Sequence, residues 1–175
     1  MKKIFIIISI FIITFSLKIY SQETKSYINI QIEGENKAIT GNYKVEELQW
    51  ARIENPQLPE KASIGLLTDP PNKKLPFDIA FIVANMSGGE IIEGEYQAIK
   101  VIGDIPQFEL GKNEGFMTIV VNNSSIPRNE YYTSEGKIKI NKIEGNNIYG
   151  EFDVTLISAN DNSIIYAKGI FRIVL

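Results

Sequence analysis

Apolar and polar positions alternate along most of this chain, and the cleanest stretch spans residues 134–156. Ile138 and Ile140 alternate with Lys137, Lys139 and Asn141, the period of two expected of a half-buried strand. Glu144, Gly145, Asn146 and Asn147 form a cluster that tolerates turn conformations. Ile148, Gly150, Phe152, Val154 and Leu156 then alternate with Tyr149, Glu151, Asp153 and Thr155. Two alternating runs joined by a short turn predict an antiparallel hairpin.

The same rule predicts strands elsewhere. Residues 27–33 alternate cleanly and end at a turn over 34–37. Residues 77–85 are apolar on both faces in their second half, as in a central strand, and 116–121 are strongly β-prone. Residues 163–175 carry apolar side chains on both sides, which predicts a final strand inside a sheet. Over 44–53 the spacing of Val45, Leu48 and Ala51 is compatible with a helix, but Leu48 and Trp50 also suit a strand, and a strand with a bulge is the preferred reading. Residues 55–76 hold Pro56, Pro59, Pro70, Pro71 and Pro76, so this excursion reads as loop or sheet edge, with a short apolar island at 62–67 able to pair at an edge. The expectation is an all-β domain, an antiparallel sandwich or barrel of about 8–10 strands.

One small pattern recurs. Gly41, Gly94, Gly150 and Gly169 each stand two residues before an aromatic, Tyr43, Tyr96, Phe152 and Phe171. Positions two apart share a strand face, so a ring can cover bare backbone at the glycine or beside it, a packing device that lets a sheet bend.

The first residues change how the composition is read. Lys2 and Lys3 precede an uncharged apolar run, 4–17, and Ser21 stands at a plausible cleavage point, which together read as a secretory signal peptide over 1–21. The competing reading is an uncleaved membrane anchor, but fourteen helical residues span about 21 Å, short of the ~30 Å hydrocarbon core, so a cleaved leader is preferred and no membrane span is expected once it is removed. Cleavage after Ser21 would leave 154 of the 175 residues as one domain, 22–175. Removing Lys2, Lys3 and Lys18 from 18 basic residues leaves 15 against 21 acidic ones, a charge of about −6. That balance argues against nucleic acid as a partner. Export permits disulfides, yet the chain has no cysteine, so packing and strand pairing must hold the fold.

Gly136, Ile138, Ile140, Ile148, Gly150, Phe152, Gly169 and Phe171 form a Gly-x-Ile-x-Ile strand, an Ile-x-Gly-x-Phe strand and a closing Gly-x-Phe strand. In these motifs, and in the Tyr-Ser-Gln that ends the leader, the chain resembles small exported β-sandwich proteins of the Bacteroidota type. The resemblance covers roughly 76–175 and implies a fold and a compartment, periplasmic, cell-surface or secreted, without implying a catalytic residue. A weaker resemblance is to lipocalin-like barrels, whose first strand carries Gly-x-Trp or Gly-x-Tyr, a slot that Gly41-Asn42-Tyr43 fits.

With neither histidine nor cysteine, a Ser-His-Asp or Cys-His arrangement and a thiolate or imidazole zinc site are impossible. Glu90, Glu93 and Glu95 cluster near a turn, but two carboxylates without a cleft read as a solvated face. Asn160-Asp161-Asn162 offers oxygens but a single carboxylate, so it reads as a turn and not as a calcium loop. Trp50, Tyr131 and Tyr132 lie near predicted strand ends, where exposed rings can stack on a ligand, and they are the candidate binding residues. The expected function is that of an exported, non-catalytic β domain serving as a binding or structural component of the cell envelope, without a cofactor. Its partner would be a protein, a glycan or a small hydrophobic ligand, and the alternative is a lipocalin-like carrier of such a hydrophobe.

Overall fold

The structure, a computed structural model, describes residues 25–46, 48–54, 56–68, 74–102, 105–122 and 128–175, so the leader expected at 1–21 lies outside the described residues. Those residues form twelve strands and no helix. The hairpin read from alternation is β10 (Glu130–Glu144) and β11 (Asn147–Ser158), with Ile138 opposite Phe152 and Ile140 opposite Gly150. The final strand, β12 (Ile164–Val174), lies between β11 and β1 (Tyr27–Gly34). Only one of its faces is buried, through Ile165, Ala167, Phe171 and Ile173, while Tyr166 and Ile170 stand exposed on the other. The fold is therefore all-β.

Ten strands make one sheet. Its order is β2 (Gly41–Val45), β1, β12, β11, β10, β6 (Gly94–Ala98), β9 (Asn113–Val121), β5 (Phe77–Asn85), β4 (Ser63–Leu67) and β3 (Gln49–Ala51). β7 (Val101–Ile102) and β8 (Ile105–Pro106) form a separate small sheet. Only residues 46–48 separate β2 from β3, the two ends of the large sheet, so those ends lie within about 15 Å of each other. The sheet must therefore curl, and it forms a half-barrel. Passing from β2 round to β3 through β1, β12, β11, β10, β9, β5 and β4 crosses eight antiparallel pairings. An even number means that β2 and β3 run the same way. β2 pairs with β1 and β3 with β4, and residues 44–53 contain no helix among those described. The apolar island in the proline-rich excursion is β4, held between β3 and β5 rather than left at the edge.

One pairing is parallel where antiparallel strands were expected. β9 pairs with β10 at Thr118–Tyr132 and its neighbours, then the two part, and β6 enters between them, antiparallel to β10 and parallel to β9. The 14 residues from 99 to 112 connect β6 to β9 and make that crossover possible. At the fork the Thr133 hydroxyl stands in for a missing strand. Its Oγ1 accepts from the Met117 N–H at 2.7 Å and donates to the Met117 carbonyl at 2.7 Å. Just beyond, β10 bulges between Thr133 and Glu135, and Gly136 takes φ +130°, a value that side chains disfavour.

The concave side is filled. The Phe81 ring of β5 lies 4.8 Å from Phe171 on β12 and 5.7 Å from Phe152 on β11, across the barrel and not along the sheet. Tyr43 meets Phe77 edge-on at 4.9 Å, joining the β2 end to β5. The Gly-x-aromatic pattern is reciprocal here. Gly150 faces Phe171 and Gly169 faces Phe152 in the β11–β12 register, so each ring covers the glycine of the neighbouring strand. A second apolar cluster, Ile99, Val101, Phe116 and Tyr132, sits on the outer face with Ile82 and Phe108 packed against it.

Candidate functional site

At one end of the half-barrel, where β3 ends, β4 begins and the β10–β11 hairpin turns, a cleft of about 300 Å³ opens to solvent. Its apolar surface comes from Ile64, Ile91, Ile143 and Ile148, and its rim from Arg52, Glu60, Lys61 and Glu90. Trp50 stands at its lip. In the β3–β4 register Trp50 is opposite Leu66, a core residue, so the indole is on the concave side of the sheet. It is nevertheless 52% exposed, because β3 is the last strand and nothing beyond it pairs with that side.

Local hydrogen bonds hold each wall. The Ser63 hydroxyl accepts from the Ile53 N–H at 2.6 Å, which ties the chain leaving β3 to the start of β4 and places Arg52 at the rim. Arg52 lies 3.5 Å from Glu60 in an exposed ion pair. On the other side, the Asn85 side chain donates to the Glu90 carbonyl at 3.1 Å and accepts from the Ser87 N–H at 3.2 Å, shaping the turn that presents Glu90. The next residue, Ile91, donates its N–H to the Lys61 carbonyl at 2.9 Å and is buried beneath the cleft. The Tyr96 hydroxyl then clamps Ile92, accepting from its N–H at 3.0 Å and donating to its carbonyl at 2.9 Å. Burial of that ring pushes the phenol above its ordinary range. The third wall arrives from far along the chain as the paired Ile143 and Ile148.

The two tyrosines lie elsewhere. Tyr131 is 0% exposed, with its ring in the main core. Its hydroxyl accepts from Asn36 Nδ2 at 3.0 Å and Asn129 Nδ2 at 3.2 Å and lies 2.9 Å from Ser163 Oγ, fastening three loops at the opposite end of the barrel. Tyr132 is 7% exposed in the outer cluster, and its hydroxyl donates to Glu130 Oε2 at 2.6 Å, which holds that carboxyl below its ordinary range. A position near a strand end looks exposed in sequence, but the Tyr131 ring packs into the main core and the Tyr132 ring into the outer cluster of Ile99, Val101 and Phe116. Of the three candidates only Trp50 faces open space.

The clustered carboxylates are also dispersed. Glu90 reaches the cleft, Glu93 accepts from the Ile143 N–H at 2.8 Å, and Glu95 pairs with Lys137 at 3.4 Å. Asp161 behaves as a turn residue. It accepts from the Ser163 N–H at 3.0 Å and the Ser163 hydroxyl at 2.7 Å, beside Asn162 at φ 58°. The sequence reading singled out Trp50, which lines the cleft, but passed over Arg52, Lys61, Ile91 and Ile143, which line it too. Charges of both signs close to a tryptophan at 50–61 were a usable signal for the rim, whereas nothing local ties Ile143 to it. Among the described residues no helix is long and apolar enough to cross a membrane. Comparison of the chain with protein-family models, with curated proteins and with solved structures finds no match.

Proposed function

We propose that this chain is an exported, non-catalytic β domain of the cell envelope that works by binding, and that the cleft at Trp50 is where it binds. One observation carries the reading. The chain's single tryptophan, which packing would ordinarily draw into the core, stands half-exposed over an apolar cleft with a polar rim. Export is supported by the charged, apolar and small-residue order of 1–21, and the Bacteroidota-type resemblance agrees with it. A lipocalin-like carrier needs a hollow interior, and the rings of Phe81, Phe152 and Phe171 occupy that space, so binding at the mouth is preferred.

Co-sedimentation with envelope fractions of the source cells tests the reading. The protein is expected to pellet with them, and Trp50→Ala is expected to weaken that association about tenfold or more, since aromatic contacts of this kind contribute ~1–3 kcal/mol. Equal pelleting of both proteins, or of neither, would refute it.

A further inference from the structure

We infer that the Trp50 cleft takes one neutral sugar ring of a glycan, stacked on the indole. The inference rests on the binding reading above and narrows its ligand. Three properties of the cleft select among glycans, lipids and peptides.

The first is the shape of the chemistry. Trp50 presents a flat apolar face with a polar N–H at its edge, and the groups around it are charged. A pyranose is the complementary object, with C–H groups forming an apolar face and hydroxyls radiating from its edge. Carboxylates accept from hydroxyls, while guanidinium and ammonium groups donate to them, so Glu90, Arg52 and Lys61 suit ring hydroxyls.

The second is charge. Among the side chains that line the cleft, Arg52 and Lys61 are balanced by Glu60 and Glu90, so they present no net charge. A phosphate or uronate would meet two carboxylates, and a cationic group would meet the two bases. A neutral polar ligand meets neither penalty.

The third is room. About 300 Å³ is the lower bound of the range, ~300–1,000 Å³, found for small-molecule sites. That accommodates one ring. An acyl chain would have to extend inward, where Phe81 and Phe171 stand 4.8 Å apart, and Ile91 closes the floor of the cleft.

Because Trp50 is the only tryptophan, the site reports on itself. The purified protein would be titrated with neutral tetrasaccharides of glucose, mannose, galactose and N-acetylglucosamine, with a glucuronate tetrasaccharide, with oleate and with a leucine- and phenylalanine-rich decapeptide. Emission would be followed for the wild type, and calorimetry would be used for all variants. The expected result is a saturable emission change with at least one neutral tetrasaccharide and at least tenfold weaker binding of the glucuronate. Trp50→Ala should weaken the neutral sugar by about tenfold to a hundredfold, and Trp50→Tyr, which keeps a platform, should weaken it less. Circular dichroism of both variants separates a lost site from a lost fold. If only oleate or the peptide binds, and Trp50→Ala abolishes it, the sugar inference is overturned and the binding reading stands. If a saccharide binds both proteins equally, or nothing binds in a Trp50-dependent way, both fall.

Discussion

Replacing Gly150 with alanine tests the packing rule that organises the barrel, because two physical effects predict opposite signs. Gly150 has no positive φ, so an alanine fits its backbone conformation. Propensity alone would then make the change stabilising by about 0.5–1 kcal/mol, through a less flexible unfolded chain. The structure opposes this. An added Cβ would collide with the carbonyl oxygen of Lys139 and with the Phe171 ring, whose Cε1 would be 2.6 Å away. The Lys139 carbonyl belongs to the β10 ladder and cannot swing aside, and Phe171 is confined by Phe81. Overpacking of this sort costs about 1–3 kcal/mol, and a rigid backbone contact puts the expected net at the upper end, roughly 2–3 kcal/mol destabilising. With a urea m-value of about 2 kcal/mol/M, the midpoint should fall by roughly 1–1.5 M. Far-ultraviolet circular dichroism gives the curve, and Trp50 emission gives a second probe of the same transition. A double-mutant cycle assigns the cause. Phe171→Leu alone should destabilise, but in combination with Gly150→Ala it should recover about 1 kcal/mol or more of coupling, since the ring is no longer in the way. A midpoint that rises in Gly150→Ala, or a cycle additive within about 0.3 kcal/mol, would show that the ring does not lie on the glycine.

The other expectations concern single side chains. Thr133→Val should cost about 2–3 kcal/mol, because it leaves the buried N–H and carbonyl of Met117 without their partner at the fork, and calorimetric melting should show it as a fall in Tm of roughly 5–10 °C. Tyr131→Phe should keep the ring packed and remove the hydroxyl that joins Asn36, Asn129 and Ser163, lowering stability by about 1–3 kcal/mol without changing binding at the Trp50 cleft; chemical denaturation and titration together check this. Hydrogen bonds from Ser158 and Ser163 hold the Asp161 carboxyl far below its ordinary range. A depressed carboxyl stabilises the fold above its unfolded pKa of about 3.9 and loses that contribution as pH falls further, so Asp161→Asn should flatten the stability profile below about pH 4 and leave its shape at neutral pH unchanged. An unaltered acid limb in that variant would count against the assignment.

How much was legible in advance follows from the range over which each signal acts. Alternation over neighbouring residues is set by which face of a strand is buried, so the hairpin of β10 and β11, the interior place of β12 and the all-β class could all be read from the chain. The proline-rich excursion was legible as a break, but its island at β4 was not legible as an interior strand, because what covers β4 is β3, which the curl of the sheet brings there. The parallel entry of β6 left no local trace, since its partner registers depend on a 14-residue crossover and on one threonine hydroxyl.

The candidate site divides in the same way. Composition alone removed histidine and cysteine chemistry and singled out a lone tryptophan. Only tertiary structure decided that Trp50 stays exposed while Tyr131 and Tyr132 do not, because the curl of the sheet buries Tyr131 in the core and Ile99 and Val101, in the connection between β6 and β9, cover Tyr132 on the outer face. Ile64, Ile91 and Ile148 are distant in sequence and meet at the mouth of the half-barrel through the curl of the sheet. Alternation tells a residue which side of its strand it occupies, and the curvature of the whole sheet determines whether that side meets a packed core or an open mouth.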